Sequence, residues 1–454
     1  MNRWLIRVAL VAAAVLVAPQ FAAADVDQQI EKLTKQLDDM KQQVDDLKKE
    51  NEQTEHETNV LADAVDSLKN ATIPEEIKYE SAYGLAPAAS KVYHRDSGLS
   101  IGGYGEAVYR QPVSNTEGRQ ARTDMQRFIL YTGYKFNDWI VLNTEVEFEH
   151  STTGSTDSSK GGSASVEFAY LDFFFDEMIN ARAGLLLVPM GIINEIHEPV
   201  SFFGVDRPVV DQRIIPTTWR ENGAGIFGEF ADMVDYRIYA INTLNAKGFS
   251  PKGFRGGRQK GNRAFAENWG IVARADVEPT PGLLIGSAVF SGNNGQNQVI
   301  DDVALPDARA TIWEIHTQWI WRQLEIRGEL AMSWLGDSAE LTEALREIGE
   351  IGEDDALAEQ QIGMYAEAGY DVMPFVLSDT DQKLLPFVRY EYINTQWKMP
   401  DGYTANNKYQ DRIWTVGLNY KPIPQVVLKV DYRNFNPVAG DSYADINFGL
   451  GFIF

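Results

Sequence analysis

The chain has 454 residues, of which 11% are aromatic and none is cysteine. Without cysteine, the protein has no disulfide framework, thiolate metal site or cysteine nucleophile. The formal net charge is −24. This excess of acid argues against nucleic acid as a partner, because neutralising phosphates requires a basic surface.

The first residues have the pattern of a secretory signal. Arg3 and Arg7 precede an uncharged apolar run, Val8–Pro19, and Ala22–Ala24 fits a cleavage site. We therefore predict a signal peptide over residues 1–24, with a non-cleaved anchor as the alternative. No later apolar run approaches the ~18 residues that a membrane helix needs. The exported chain is thus predicted to be either soluble or a β-barrel.

A heptad pattern follows. From Val26 to Leu68, core positions recur in alternating steps of four and three. Asn51, Thr54 and Thr58 make the middle of the seam polar, which favours a fixed register between identical chains. We predict a coiled coil over residues 25–72. The core residues leave the number of chains open, and one amphipathic helix lying on its own barrel is the alternative.

Pro74 ends this helix, and residues 73–97 are interpreted as a linker. From residue 98 onwards, apolar and polar residues alternate with period two, as in Ile140–Glu149 and in the closing segment Tyr443–Phe454. The connections alternate between tight turns and long loops, which is typical of transmembrane barrels rather than of the soluble sandwich that is the alternative.

We count sixteen strands, whose even number places both ends of the barrel on the periplasmic side. The predicted fold is all-β, a 16-stranded antiparallel transmembrane β-barrel over residues 98–454, preceded by the helical coiled coil. A barrel of this size encloses an aqueous channel. The predicted strands are 99–110, 121–136, 139–150, 164–175, 179–190, 223–231, 233–243, 267–278, 282–292, 310–321, 323–335, 360–373, 384–397, 410–421, 424–435 and 443–454.

The third long connection, Gly191–Asn222, is the candidate selectivity element. It mixes charged residues with apolar ones, so we expect it to pack inside the barrel and narrow the pore; a loop that covers a subunit contact is the alternative. Its candidate selectivity residues are Glu195, His197, Glu198, Asp206, Arg207, Asp211, Arg213 and Arg220. Candidate lumen-facing residues on the strands are Arg127, Arg182, Arg274, Glu314, His316, Arg327, Arg389 and Arg433.

Several motifs resemble the phosphate-selective porin O and P family: Ala181–Gly184, Pro189–Met190, Val200–Arg207 and Gly102–Ala107. The resemblance covers the barrel and implies a homotrimeric outer-membrane porin whose third loop folds inward. Some related trimeric porins also carry a similar periplasmic coiled coil. That family draws anions to a lysine cluster, whereas Gly191–Asn222 contains no lysine. Phosphate selectivity therefore does not follow from the resemblance.

Two further loops carry opposite charges. Residues 244–266 are basic and are expected to gather anions or to contact lipopolysaccharide, while residues 336–359 are acidic. For each, a merely solvated loop is the alternative. Dispersed carboxylates without an EF-hand pattern predict no metal site.

The expected function is passive diffusion of small hydrophilic solutes, with a modest preference for anions such as phosphate or organic acids. Expected partners are outer-membrane lipid, lipopolysaccharide, the solutes and further copies of the chain. Neither a G-x-S-x-G nor an H-E-x-x-H motif occurs, so we expect no enzyme and no cofactor. A structural tether acting through the coiled coil, and a non-selective or cation-preferring porin, are the alternatives.

Overall fold

The structure is a computed structural model that describes residues 23–72, 79–155, 161–231 and 233–454. The chain divides into two compact units, residues 1–70 and residues 71–454. Residues 1–22 of the predicted signal peptide lie outside the described residues.

The first unit contains one long helix, α1 (Ala23–Thr72). Several apolar seam residues on this helix are largely exposed in the single chain, among them Leu37, Met40, Leu47 and Leu61. The helix predicted over residues 25–72 is present, and its pairing with other copies stays a prediction. None of the helices within the described residues is long and apolar enough to cross a lipid bilayer.

The second unit is a closed antiparallel barrel in which each barrel strand pairs with the next barrel strand along the chain, and the last strand pairs with the first. The predicted sixteen-stranded barrel is therefore confirmed. Two short strands, β10 (Val299–Ile300) and β11 (Val303–Ala304), form a separate hairpin that was not predicted. The barrel strands are β1 Gly98–Ser114, β2 Arg122–Asn137, β3 Ile140–Glu149, β4 Ala164–Phe174, β5 Asn180–Leu187, β6 Arg220–Phe230, β7 Val234–Asn242, β8 Trp269–Thr280, β9 Leu283–Gly292, β12 Ala310–Trp321, β13 Leu324–Leu335, β14 Gln360–Tyr370, β15 Lys383–Lys398, β16 Gln410–Ile423, β17 Val426–Pro437 and β18 Tyr443–Ile453.

The two faces of the barrel differ in polarity, as alternation along each strand requires. Apolar side chains such as Ile101, Ile271 and Leu450 are exposed on the outside, while polar side chains point inward. Exposed aromatic residues lie at both ends of the strands, which matches the interfacial girdles of transmembrane barrels. They include Trp139, Trp319 and Trp321 at the short-turn end and Trp269, Trp397 and Trp414 at the long-loop end.

Residues 79–97 pack among the barrel strands, although 73–97 was interpreted as a linker. Leu85, Ala88 and Val92 are buried. Tyr93 hydrogen-bonds to Asp172 on β4 at 2.7 Å. Many of these residues are small, so they fit inside a barrel without the apolar periodicity that would have marked a packed element.

Candidate functional site

The connection between β5 and β6, residues 188–219, lies inside the barrel and is called loop 3 below. The loop lies inside because its apolar residues are buried in one cluster with inward-facing side chains of the strands. These residues include Ile192, Ile193, Phe202 and Ile214. A one-turn helix, α2 (Val210–Arg213), stands in its second half. The predicted inward packing is thus what the structure has; Arg220 is the first residue of β6 rather than part of the loop.

On one side of the barrel, side chains of the strands hydrogen-bond to the backbone of loop 3. Arg327, Arg389, Lys421 and Lys429, on β13, β15, β16 and β17, form what is called the basic wall. Lys429 donates to the carbonyl oxygens of Phe202 and Gly204, each at 2.8 Å, and its ammonium lies 3.7 Å from the Phe202 ring centroid. The other three donate to the carbonyls of Ser201, Asp206 and Val200, respectively.

The same side accepts hydrogen bonds from the loop backbone. Asp431 accepts from the amide of Val205 at 2.6 Å, and Glu391 accepts from the amide of Val209. Buried backbone groups need such partners. Donors and acceptors on these strands therefore fix the path of residues 200–209.

Asp206 is the charged anchor of loop 3. Its carboxylate pairs with Arg110 on β1 at 2.6 Å and with Arg433 on β17 at 3.4 Å. Burial raises the pKa of Asp206, but the two guanidinium groups outweigh this and hold it below its ordinary value. Asp206 is therefore ionised at neutral pH and joins the loop to two strands.

Most of the predicted lumen residues are engaged in ion pairs rather than free. Arg127 pairs with Glu106, Arg182 with Asp172 at 2.7 Å, and Arg274 with Asp276 at 2.7 Å. These arginines were expected to draw anions inward. Because a carboxylate already satisfies each of them, they contribute little net field to a passing solute.

Two acids of loop 3 also have partners. Glu195 pairs with Arg237 at 2.8 Å. Glu198 accepts from the backbone amides of Ala88 and Ala89 at 2.9 and 3.1 Å, which joins loop 3 to the segment 79–97. Asp211, by contrast, is fully buried, and neither of its carboxylate oxygens has a hydrogen-bond partner in the described structure.

The opposite side of the barrel is acidic. Glu145, Glu147 and Glu149 on β3 and Glu167 on β4 form what is called the acidic wall. A cavity of about 670 Å³ lies beside it, and Glu147, Glu149 and Glu167 are among its lining residues. The basic residues that line this loop 3 cavity are Arg127, Arg207, Arg220, Arg255, Arg258 and Lys260.

The basic loop 244–266 folds over loop 3. Arg255 donates to the carbonyl of Thr217 at 2.8 Å, and Arg258 donates to that of Thr218. Burial and then repulsion from Arg255 and Arg220 lower the pKa of Arg258 to about 9. Like charges are therefore crowded at the cavity, a situation that a bound anion relieves.

The three loop arginines of the sequence prediction are divided between two places. Arg207 and Arg220 line the loop 3 cavity. Arg213 instead pairs with Asp411 on β16 at 3.3 Å. Arg220 is neutralised by Glu167 at 2.7 Å, whereas Arg207 has no ion pair within the described chain and donates to the hydroxyl of Thr218 at 3.1 Å.

The remaining predicted residues form a separate group. His316 lies between Glu314 on its own strand, at 2.8 Å, and Asp276 on β8, at 3.1 Å. Arg274 completes the group, 2.9 Å from Nε2 of His316. His197 of loop 3 likewise lies between two carboxylates, Glu145 and Glu167.

A protein of Aquifex aeolicus, described only as uncharacterized, is 34% identical to this chain over 363 residues, covering 78% of this chain and 79% of the Aquifex protein. The chain belongs to the same protein family as this Aquifex aeolicus protein. No family model matches the sequence, so the resemblance to the phosphate-selective porin O and P family is not confirmed.

Among solved structures, the barrel is similar to an anion-selective porin from Comamonas acidovorans, with 10% identity, a TM-score of 0.49 and coverage of 79% of this chain and 100% of that one. The OmpF protein of Salmonella typhi, solved in complex with daunomycin, is 12% identical, with a TM-score of 0.49 and coverage of 80% of this chain and 99% of OmpF. The trimer form of OmpT of Vibrio cholerae is 12% identical, with a TM-score of 0.48 and coverage of 79% of this chain and 100% of OmpT. At these TM-scores, the likeness gives no information about what crosses the present barrel.

Several residues that contact loop 3 were not predicted from the sequence. Lys421 and Lys429 carry the contacts to the loop carbonyls, and Glu167 faces His197. In the sequence, Lys429 stands between the apolar residues Leu428 and Val430, as on a strand with one polar face. Nothing in the sequence around Lys429 indicated that its partners are backbone oxygens, because every residue has one.

Proposed function

We propose that this protein is an outer-membrane porin through which small hydrophilic solutes diffuse, with a modest preference for small anions. The observation that carries the proposal is the closed sixteen-stranded barrel, whose outer face is apolar and whose inner face is polar and charged. In a bilayer only a closed barrel satisfies all strand backbone groups, and a polar interior suits water and solutes.

The proposed route passes along the loop 3 cavity rather than along the basic wall. Loop 3 is packed against the basic wall, whereas it leaves about 670 Å³ open beside the acidic wall. Loop 3 thereby forms the constriction. In this proposal, selectivity depends on the charges that line the cavity, not on the net charge of the chain, since charges farther than roughly 8 Å are largely screened.

The sign of the preference follows from which charges remain unpaired. Arg207, Arg255, Arg258 and Lys260 line the cavity and take part in no ion pair within the described residues. The acidic residues there are partly matched by Arg127 and Arg220, as described above. Arginine also suits planar anions such as carboxylate or phosphate, which supports organic acids or phosphate as solutes.

Reversal potentials in a KCl gradient test the selectivity. Wild-type channels in planar bilayers should prefer Cl⁻, and Arg207→Gln and Arg258→Gln should each weaken that preference while keeping an amide donor. Arg213→Gln is the matched control, because Arg213 faces Asp411 outside the cavity and its replacement should leave the potential unchanged. A wild-type preference for K⁺, or equal shifts in all three variants, would refute the anion route.

We also propose that three copies assemble, with the coiled coil of residues 25–72 in the periplasm. The motive is the heptad seam together with the sequence resemblance to trimeric porins. Purified protein in mild detergent should run as a trimer, and it should conduct in three equal steps. A monodisperse monomer without conductance would exclude both the assembly and the channel.

A further inference from the structure

We propose that Glu145, Glu167 and His197 form a binding site for one divalent transition-metal ion, with Zn²⁺ as the best-suited ion. Three separate segments supply the ligands: β3, β4 and loop 3. One ligand atom from each lies within 4.8 Å of the others, and all three residues are buried. A histidine with two carboxylates is a ligand set that zinc accepts, leaving its fourth position to water.

The spacing of the ligand atoms fits an ion of this size. Nε2 of His197 is 3.6 Å from Oε1 of Glu145 and 3.4 Å from Oε2 of Glu167. Two ligand atoms that each lie about 2.0–2.1 Å from a tetrahedral ion are roughly 3.3–3.4 Å apart. The two distances from His197 therefore exceed this separation by at most a few tenths of an ångström, and the two carboxylate oxygens lie within 4.8 Å of each other.

The second observation is a set of unsatisfied buried atoms. Both carboxylate oxygens of Glu145, Oε2 of Glu167 and Nε2 of His197 have no hydrogen-bond partner in the described part of the chain. Glu145 is 0% exposed. Leaving a buried carboxylate oxygen without a donor is costly, and such groups call for a partner.

The orientation of His197 suits metal binding. Its Nδ1 lies 3.0 Å from the carbonyl oxygen of Asn194, an acceptor, so Nδ1 carries the hydrogen. The lone pair of the neutral ring is then on Nε2, which faces the two carboxylates. Metal-ligating histidines commonly have this arrangement, with the other ring nitrogen donating to a carbonyl.

The local charge also favours a dication. Five carboxylates lie in or next to the site: those of Glu145 and Glu167, of the cavity-lining Glu106 and Glu147, and of Glu198, which adjoins His197. Arg127 and Arg220 are their guanidinium partners. With these carboxylates ionised and His197 neutral, the acids outnumber the two guanidinium groups. One divalent cation offsets this excess of negative charge, and the adjoining loop 3 cavity, which reaches Glu167, supplies an entry path.

The histidine group around His316 shows how the same residue types are satisfied without metal. His316 also lies between two carboxylates, but the guanidinium of Arg274 contacts both the ring nitrogen and Asp276. A built-in cation already occupies the position that an ion would take. No such side chain reaches between Glu145 and His197 among the described residues, which makes His316 a matched control.

A proton is the competing occupant at His197. Burial lowers the pKa of His197, but the nearby carboxylates of Glu145 and Glu167 outweigh this and raise it to about 10. Without metal, an imidazolium ion would therefore bridge the two carboxylates. Zinc has to displace that proton, as metals generally do at histidine.

The test uses the folded full-length protein in detergent, treated with a chelator and then titrated with Zn²⁺ near pH 8. We expect one Zn²⁺ per chain by calorimetry and by elemental analysis, together with a higher unfolding temperature. His197→Gln and Glu145→Gln should lose the stoichiometric site, whereas His316→Gln should keep it. Visible absorption of bound Co²⁺ gives a second readout of the same ligands.

Each outcome decides the matter. A wild-type protein that unfolds at the same temperature with Zn²⁺ or with chelator holds an imidazolium bridge instead, and the proposal is wrong. Equal zinc binding in wild type and in His197→Gln also overturns it. If a variant does not fold, as judged by its heat-modifiable mobility on gels, the wild-type titration alone still gives the answer. Metal binding and conductance are measured separately, so the failure of one does not imply failure of the other.

Discussion

The basic wall and the acidic wall make different contacts with loop 3. On the basic wall, Lys429 donates to two carbonyl oxygens of loop 3 at 2.8 Å. The acidic wall contacts the loop mainly through His197 and leaves the loop 3 cavity open. One side of this barrel positions the loop, and the other side leaves the cavity along which we propose that solutes pass.

Replacing Lys429 by alanine should produce the largest effect, because it removes the firmest contact of the basic wall. Two buried carbonyl oxygens, of Phe202 and Gly204, lose their donor. Each unsatisfied acceptor costs about 1–3 kcal/mol, so we expect the free energy of unfolding to fall by about 2–6 kcal/mol. Urea unfolding in detergent, followed by tryptophan fluorescence, measures this change.

Channel recordings of the same variant should show larger and noisier currents, because loop 3 is released. Lys383→Ala is the control, since Lys383 is half exposed and only pairs with Glu325 at 3.7 Å. Its stability should change by less than about 1 kcal/mol. If Lys429→Ala matches this control in both measurements, the basic wall does not hold the loop.

Asp211 gives the next largest effect and a pH dependence. Burial, and then repulsion from nearby carboxylates, raises its pKa well above the ordinary value. The folded state thus binds this proton more tightly than the unfolded state, and stability falls as pH rises from about 3.9 towards the raised pKa. The charged groups that face it are Glu314, Glu329, Glu367, Glu391 and Arg389.

Asp211→Asn should therefore be more stable than wild type near pH 8 by at least about 1 kcal/mol, and equal to it near pH 3, where both states are protonated. The free energy of unfolding measured across this range checks the sign. The exposed Asp301→Asn serves as control. A variant that is less stable than wild type at pH 8 would show that the ionised carboxylate is satisfied.

On the acidic wall, Glu149→Gln should change selectivity by a smaller amount. Glu149 lines the loop 3 cavity and accepts from the hydroxyl of Ser163 at 2.8 Å, a bond that glutamine keeps. Removing one negative charge should shift the reversal potential by a few millivolts towards stronger Cl⁻ preference. Glu325→Gln, next to the basic wall, should leave it unchanged; a shift there alone would place the route on the other side.

The smallest effect on conduction is expected from deleting residues 26–68. These residues belong to α1, which contributes no strand to the barrel. We expect the unit conductance to remain near the parent value, while trimers dissociate at a lower temperature on gels. A large change in unit conductance would instead mean that the helix reaches the pore.

The strands were predictable because each carries its own signal. Alternation placed Glu145 inward and Ile140 outward, and no predicted end differs from the observed one by more than four residues. The apolar residues of loop 3 likewise predicted its inward packing. Both signals are local, since burial of one face is written into consecutive residues.

The site was less predictable because its partners come from distant segments. Arg213 and Arg207 look alike in sequence, yet only one meets a carboxylate, Asp411 on β16. The inward packing of residues 79–97 depends on close fit rather than on periodicity. The grouping of His197 with Glu167 likewise depends on where loop 3 lies against β4.

The hydrogen bonds from the basic wall to the backbone oxygens of loop 3 have a consequence for sequence divergence in this family. Lys421 and Lys429 recognise carbonyl groups, which every amino acid provides. The hydrogen bonds to residues 200–204 therefore do not depend on which side chains these residues carry, although Phe202 is itself buried against the Lys429 ammonium. We expect relatives to keep Lys421 and Lys429 while other side chains of loop 3 vary. The permeability of the channel can then change while the backbone path of the loop stays the same.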